Sequence, residues 1–278
     1  MPTVQNLKKK LQVIRSTRKL TRAMKTASTV KYSKISGLFS DYAKYEAQCA
    51  LICKRYGKEL RSAFPIQNPA APPLYILLTS NKGMCGSFNT DLISFFGKLL
   101  SEAEETPTVF CAGKKGIAAL EANAIHCEKT YVFSDTTTYG DAAAMFCDIQ
   151  ALLDSGKISS VKIVYPKYHN MLKQSPTVAD LFDFQPDAEQ DSDALFVPNR
   201  QTFIQGAAEK LFVSILYKII LETALGAQAA TLMTMRTAYD SACEYESQLE
   251  TQINRIRQTQ VTADVIEVAS DNSMKGEE

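Results

Sequence analysis

Two long segments with helical periodicity stand at opposite ends of this 278-residue chain. They cover residues 1–60 and 199–270, and no proline interrupts the chain between Thr3 and Phe64 or after Pro198. At ~1.5 Å per residue, each helix would be roughly 90–100 Å long, which is too long to wrap around a compact core. Because helices of this length without stop signals are typical of coiled coils, we predict that the two segments pair as a long antiparallel coiled coil.

The apolar residues of both segments recur in alternating steps of three and four, which is the spacing of a coiled-coil seam. In the first segment the seam is predicted to contain Ile35, Leu38, Tyr42, Tyr45, Cys49, Ile52 and Tyr56. In the second it is predicted to contain Leu232, Met235, Tyr239, Ala242, Leu249, Ile253 and Ile256, with Glu246 as its one polar member. Two ordinary amphipathic helices in a bundle are the alternative. A membrane span is excluded at this point, because no run of about 20 apolar residues occurs.

The period changes in the middle of the chain, where residues 70–198 are predicted to form a central α/β domain. A buried strand is predicted at Leu74–Thr79, two more strands at Thr108–Cys111 and Val161–Tyr165 and a short fourth at Tyr131–Phe133, with helices at Thr90–Glu105, Lys115–Ala124 and Asp141–Ser155. This alternation predicts a Rossmann-like, mostly parallel sheet with flanking helices. Residues 171–184 are predicted to be an edge strand, and Asn199 the N-cap of the last helix.

The net charge of +1 conceals a strong asymmetry along the chain. Residues 1–40 contain ten Lys or Arg and no acid, whereas residues 174–199 contain six acids and no Lys or Arg. The last residues, 271–278, form an acidic tail. The basic arm should therefore seek an acidic partner. A nucleic acid, a mitochondrial presequence function and an acidic protein surface remain open on composition alone, although no nucleic-acid-binding motif accompanies the arm.

Chemical motifs are scarce. The Gly-rich turns Ser80–Asn89 and Cys111–Gly116 follow strands, but neither has the spacing of a dinucleotide fingerprint or a P-loop. The two histidines and seven cysteines show no metal-ligand spacing and no Cys-x-x-Cys pair. We therefore expect no catalytic site, cofactor or metal in this chain. A small α/β nucleotide-binding enzyme with helical extensions and a coiled-coil adaptor remain the competing interpretations.

Four motifs occur in a fixed order along the chain. They are the arm Thr17–Lys25 (TRKLTRAMK), the turn Thr79–Asn89 (TSNKGMCGSFN), the turn Gly113–Gly116 (GKKG) and the tail Arg257–Thr262 (RQTQVT). Their sequence, spacing and the total length resemble the gamma subunits of F-type ATP synthases over essentially the whole chain. This chain departs from the family pattern at Thr231, where an Arg is expected, and at Ala263 and Asp264, where Gln and Glu are common.

The resemblance implies a rotor shaft without an active site of its own. In that family, one copy per complex turns inside a head of alternating alpha and beta subunits and lies beside the epsilon subunit and the membrane c-ring. It couples ion flow through the ring to ATP synthesis or hydrolysis on the catalytic subunits. The implied location is peripheral, on the cytoplasmic side of a bacterial inner membrane or the equivalent organelle face, with no nucleic acid bound and no direct membrane insertion.

The resemblance also places the contacts with the catalytic head on particular residues. They are Arg18, Arg22, Met24 and Lys25 on the arm, and Arg257, Gln258, Thr262 and Asp264 on the tail, with Glu267 continuing the tail face. We expect Arg18, Arg22 and Lys25 to supply the rotor-side positive charge. The redox loop of the chloroplast form is not expected, because residues 185–200 contain no cysteine.

Overall fold

The computed structural model of the chain describes residues 4–103, 105–134, 137–182 and 199–274. The elements in these ranges are α1 (Val4–Ser62), β1 (Leu74–Leu78), α2 (Phe88–Glu102), β2 (Thr108–Ala112), α3 (Lys114–Ala122), β3 (Lys129–Tyr131), α4 (Tyr139–Asp154), β4 (Val161–Tyr168), β5 (Gln174–Asp180) and α5 (Arg200–Met274). The predicted acidic loop at 187–193 and the side chains of the acidic tail 271–278 lie outside what is described.

The chain divides into two compact units. The coiled-coil unit consists of Met1–Ala27 and Thr234–Glu278, and the sheet unit consists of Ser28–Met233. In the coiled-coil unit, Arg15 of α1 contacts Glu250 of α5, and Lys25 lies over the ring of Tyr239. Residue numbers rise along α1 as they fall along α5, so the two helices run antiparallel, as predicted.

The sheet unit holds the remaining lengths of α1 and α5, and they are also antiparallel. The Tyr42 hydroxyl lies 2.5 Å from the Ser214 hydroxyl, Lys218 pairs with Glu46, and Arg200 at the start of α5 pairs with Glu59 near the end of α1. The backbone of α1 leaves helical geometry at Tyr56 (φ −119°, ψ 17°). The predicted fold, an α/β region with long antiparallel terminal helices, is confirmed.

Two of the seven predicted α1 seam residues are wrong. Leu38 and Tyr45 are 44 % and 49 % exposed. The alternating three-four pattern of buried and half-buried side chains instead passes through Ser28, Tyr32, Ile35, Phe39, Tyr42, Glu46, Cys49, Cys53, Tyr56 and Leu60. Phe39 and Glu46 take the places of Leu38 and Tyr45; Glu46 is a charged residue that an apolar pattern rejects, and it is half-buried and pairs with Lys218. On α5, all eight predicted seam residues are buried or half-buried, Glu246 among them.

The five strands form one sheet in the order β3-β2-β1-β4-β5. Strand β1 pairs in parallel with β2 (Leu74 opposite Thr108) and with β4 (Leu74 opposite Val161), and β2 pairs in parallel with β3. Strand β5 runs antiparallel to β4 along one edge, with Val164 opposite Val178. The predicted mostly parallel sheet with a final edge strand is therefore confirmed.

Alternate residues of the strands face two separate cores, because side chains along a strand point to opposite faces. One face carries Leu74, Ile76 and Leu78 and packs on α4 together with parts of α1 and α5. The opposite face carries Tyr75 and Leu77 and packs on α2 and α3. Each of these strand residues is 6 % exposed or less, which explains the unbroken apolar run of β1.

The element ends show where the sequence was misleading. Strand β3 covers Lys129–Tyr131, two residues before the predicted Tyr131–Phe133, because Lys129 pairs with Phe110 of β2. Helix α5 begins as predicted after Asn199, whose side-chain oxygen accepts the N–H of Thr202 at 2.8 Å.

Helix α5 contradicts the sequence argument against a membrane span. By length and composition alone, part of Arg200–Ile266 is apolar enough to cross a membrane. However, 72 % of that apolar stretch is buried within the protein. Burial on this scale is what a core helix requires, so the stretch is accounted for by packing.

A glycine substitution tests the turn between β2 and α3. Gly113 has a φ of +101°, and a Cβ there would lie 2.3 Å from the carbonyl oxygen of Thr79. We expect Gly113→Ala to lower the free energy of unfolding by at least about 2 kcal/mol. The control is Gly97→Ala inside α2, where a Cβ meets no atom within 4 Å and the change should stabilise by about 0.5–1 kcal/mol. Urea denaturation distinguishes the two; a stable Gly113→Ala chain contradicts this geometry.

A second prediction concerns the buried acid of the coiled-coil unit. Removing the Glu246 carboxylate leaves Arg15 and Arg18 without their shared acceptor. We expect Glu246→Ala to destabilise the coiled-coil unit by about 1–3 kcal/mol. The matched control is Glu244→Ala. Glu244 is exposed and accepts a 3.3 Å hydrogen bond from Gln248, so this change should alter the free energy of unfolding by less than about 0.5 kcal/mol. Hydrogen exchange of amides in α1 and α5 measures both; equal protection in the two variants argues against a special role for Glu246.

Candidate functional site

The predicted contact residues on the α1 arm divide into two groups. Arg22 is exposed, and Met24 is half-buried. Arg18 and Lys25 instead turn towards α5: an Arg18 Nη1 atom lies 2.9 Å from Glu246 Oε2, and the Lys25 ammonium lies 5.5 Å from the centre of the Tyr239 ring. Their charge is therefore partly used within the coiled-coil unit, whereas Arg22 presents its guanidinium to solvent.

Arg15 is the residue that the sequence analysis missed. Its Nε donates to Glu246 Oε1 at 2.9 Å, and its Nη2 donates to Glu250 Oε1 at 2.6 Å. These two carboxylates raise the pKa of Arg15 above its ordinary value. Since Glu246 stood out as the single acid of an apolar seam, its need for a cation on α1 could have pointed to Arg15.

Glu246 is the electrostatic centre of the coiled-coil unit. It is 7 % exposed, and it carries a negative charge between two arginines of α1. Its Oε2 atom makes a close charge contact with Arg18 but no hydrogen bond of good geometry. A buried acid of this kind is costly unless it is paired, so the pairing favours the observed alignment of the two helices over alignments that leave it alone.

The four predicted tail residues lie together on an exposed part of α5. Arg257, Gln258, Thr262 and Asp264 are all exposed, and the Thr262 hydroxyl donates to the Gln258 carbonyl at 2.9 Å. Side chains spaced by three, four or seven residues share one side of a helix, which places Gln258 and Thr262 beside exposed Val261 and Val265. We call this the tail face. It presents apolar and polar groups side by side; the Glu267 side chain lies outside the described part of the chain.

The Gly-rich turn before α3 does not form a phosphate site. A phosphate would need free N–H groups at the start of α3. The amides there already donate to protein acceptors: Lys114 to Asn81 Oδ1 at 3.2 Å, Lys115 to the Ser80 carbonyl at 3.2 Å, and Gly116 to Thr79 Oγ1 at 2.8 Å. The glycines serve close packing, since a Cβ on Gly116 would lie 2.7 Å from Thr79 Oγ1.

Two cavities of the sheet unit are also poorly suited to a nucleotide. The cavity at the ends of β1 and β2, next to Thr79 and Gly113, has a volume of about 80 Å³, well below the several hundred Å³ of a typical ligand site. A larger groove of about 580 Å³ lies at the opposite ends of the strands, beside the start of β2. Its described lining carries Glu105, Glu128 and His126 and no Lys or Arg. Among the described residues, no group of three His, Cys, Asp or Glu is arranged to hold a metal.

The chain is similar to known proteins along nearly its whole length. The ATP synthase gamma chain of Mycoplasmopsis synoviae is 28 % identical over 286 residues, covering 97 % of this chain and 98 % of that protein. The ATP synthase gamma chain of Rhodopirellula baltica is 26 % identical, covering 96 % and 97 %.

Solved structures show the same fold. The rotor of the Euglena gracilis mitochondrial ATP synthase matches with a TM-score of 0.65 at 15 % identity, covering 93 % of this chain and 98 % of that one. The central stalk and c-ring structure of the Tetrahymena thermophila mitochondrial ATP synthase contains a chain that matches with a TM-score of 0.61 at 17 % identity, covering 79 % and 99 %.

A family model described as ATP synthase matches residues 3–272. This match spans both terminal helices and the sheet, and it agrees with the gamma-subunit resemblance carried by the four sequence motifs. The chain therefore belongs to the ATP synthase family.

Proposed function

We propose that this chain is the gamma chain of an F-type ATP synthase, the central-stalk rotor subunit. It couples ion flow through the membrane ring to ATP synthesis or hydrolysis on the catalytic subunits and supplies no active site itself. The observation that carries the proposal is the antiparallel pairing of α1 and α5, which ends in the exposed tail face. The names of its relatives, ATP synthase gamma chains, support the same assignment.

The mechanism follows from the unequal sides of the helix pair. A subunit can shift a neighbour between conformations only if it contacts them with different free energies. One side of the pair carries the basic arm of α1, and another carries the mixed apolar and polar tail face of α5. Turning such a pair inside a ring of identical catalytic subunits would present each of them in sequence with a different surface.

The assigned contacts with the head are Arg22 and Met24 on α1 and Arg257, Gln258, Thr262 and Asp264 on α5. Their support is the resemblance together with the exposure of all of them except half-buried Met24. Arg18 and Lys25 act mainly within the helix pair, with Arg15, and hold the alignment that presents Arg22.

The implied partners are the alternating alpha and beta subunits of the head, the epsilon subunit and the c-ring, with one copy of this chain per complex. The complex is associated with a membrane. Within it, we place this chain peripherally, on the cytoplasmic side of a bacterial inner membrane. The apolar stretch of α5 agrees with a peripheral position, since most of it is buried in the protein.

Purification tests the assignment directly. A tagged chain should isolate with the ATPase head at one copy per three catalytic subunits, and depleting the chain should uncouple ATP hydrolysis from ion transport. A monomer that binds nucleotide alone would favour an α/β enzyme, and a stable homodimer would favour an adaptor. Either result overturns the rotor assignment.

Substitution of the exposed arginines tests the contact residues. In the assembled complex, Arg22→Ala with Arg257→Ala should lower the number of ions pumped per ATP hydrolysed by roughly twofold or more, because the charged contacts that distinguish the catalytic subunits are lost. The free energy of unfolding of the isolated chain should change by less than about 0.5 kcal/mol per residue, since both side chains are exposed.

Lys98→Ala is the matched control, since Lys98 is an exposed cation on α2 of the sheet unit. It should leave pumping per ATP at the wild-type level. If the complex assembles normally and the double variant pumps as many ions per ATP as the wild type, Arg22 and Arg257 are not contacts with the head.

A further inference from the structure

Strand β4 continues beyond its neighbour β1. The pairing of β1 with β4 ends at Leu77 opposite Val164, whereas β4 continues to Tyr168. Within the part of the chain that the structure describes, its last residues pair only with β5, and the side that faced β1 has no strand partner there. Backbone N–H groups two residues apart along a strand point to the same side. On that side, Pro166 has no N–H group, whereas Tyr168 has an N–H group that needs an acceptor.

The N–H of Tyr168 is taken by a helix. It donates to Glu222 Oε1 of α5 at 2.9 Å. Glu222 is only 6 % exposed, and it stands on α5 next to Leu221, which packs with Ile35 and Leu225 in an apolar cluster that also contacts Tyr168. A carboxylate that accepts a backbone N–H inside a protein makes a strong and directional bond.

The same tyrosine also reaches the other long helix. The Tyr168 hydroxyl lies 2.8 Å from the Tyr32 hydroxyl of α1. Burial and the hydrogen bond with Tyr32 raise the pKa of Tyr168 to about 12, so the Tyr168 hydroxyl keeps its proton at neutral pH. One strand residue therefore holds α5 through its backbone and α1 through its side chain. We call Tyr32, Tyr168 and Glu222 the strand–helix junction.

The apolar contacts next to the junction specify no donor or acceptor. The cluster of Ile35, Leu221 and Leu225 is apolar, and apolar packing is non-directional. It holds the helices against the sheet without pairing particular polar atoms. The two hydrogen bonds of the junction have fixed donors and acceptors, so they define the angle at which each helix meets the sheet.

We propose that the strand–helix junction is the point through which rotation of the sheet is passed to both terminal helices, with Glu222 as a positioning residue. The inference rests on the proposed rotor function. In a rotor, torque enters at one part of the chain and acts at another, and a helix that turned freely against the sheet would lose it. The Glu222–Tyr168 bond resists that turn in α5, and the Tyr32–Tyr168 bond resists it in α1.

The test uses the assembled ATP synthase in inverted vesicles and measures ions pumped per ATP hydrolysed. We expect Glu222→Ala to lower this ratio by roughly twofold or more while the chain is still incorporated in normal amounts. Glu222→Gln keeps an oxygen acceptor for the Tyr168 N–H and should retain most of the wild-type ratio. Glu209→Ala, an exposed acid on the same helix in the same unit, should leave the ratio unchanged.

Two milder variants cover the case in which Glu222→Ala does not assemble. Tyr32→Phe and Tyr168→Phe each remove one hydroxyl of the same hydrogen bond. Each should lower the pumping ratio, and the double variant should lower it no further than either alone, because residues that act through one contact are not additive. A purely structural role predicts lower thermal stability with an unchanged ratio.

An unchanged ratio in the tyrosine variants, or additive losses in the double variant, would falsify the junction. So would an equal loss in Glu209→Ala. Failure of the rotor assignment looks different: there the wild-type chain itself does not isolate with the ATPase head, and no variant needs to be measured.

The pH dependence of stability gives an independent check on Glu222. Burial raises its pKa above the ordinary value of 4.5, against the lowering effects of the Tyr168 N–H, Lys218 and Lys167, and Glu46 adds to the rise. The folded chain thus holds this proton more tightly than the unfolded chain, and the resulting stability is present at low pH and lost as pH rises through the raised pKa. Glu222→Gln should remove that loss, so its melting temperature relative to wild type should increase from pH 4.5 to pH 7. A constant difference across this range contradicts the raised pKa.

Discussion

Antiparallel pairing of α1 with α5 is the constraint on which the other features depend. Each helix presents side chains in alternating steps of three and four, and this spacing turns a single narrow stripe towards a partner. Most of the stripe is apolar, and apolar contacts alone would tolerate a shift by one heptad. The charged members remove part of that freedom: Glu246 lies between Arg15 and Arg18, and Glu46 pairs with Lys218. Because these buried and half-buried charges need partners, the alignment of the two helices depends on ion pairs as well as on apolar packing.

The sheet unit solves a different problem with the same two helices. One face of the sheet packs on α4 and on parts of α1 and α5, so the terminal helices form part of its core. The other face is covered by α2 and α3. Because β4 extends past β1, the Tyr168 N–H has no partner on β1 and donates to Glu222 on α5. The sheet and the helices are thus joined by a polar contact as well as by apolar burial, which suits a chain that has to move as one piece in a rotor.

Several features that look like sites have structural explanations. The glycines of the turn before α3 allow Thr79 to approach the helix start, where its hydroxyl oxygen accepts the Gly116 N–H. All seven cysteines are free, and burial raises the pKa of Cys53 to about 11 and that of Cys111 to about 12, which keeps both as unreactive thiols. What remains exposed and chemically distinctive is the basic arm around Arg22 and the tail face around Gln258.

The fold class, the order of the strands along the chain, the α5 seam and the family can be predicted from the amino-acid sequence alone. Those features are written in local periodicity: a step of two for strands, alternating steps of three and four for paired helices, and motifs at fixed spacing. The family resemblance also named the four tail residues, all of which are exposed. Local patterns misplaced two of the seven predicted α1 seam residues, since Phe39 and charged Glu46 are half-buried in place of Leu38 and Tyr45.

Which charges face a partner helix and which face solvent became clear from the three-dimensional structure. Arg15, Arg18 and Arg22 are alike in the sequence, yet the first two meet Glu246 and the third does not. The junction of Tyr32, Tyr168 and Glu222 joins residues 136 and 54 positions apart, and no short-range signal connects them. Hydrogen bonds and ion pairs act over a few ångströms in space, so their partners become known only when the chain has brought distant segments together.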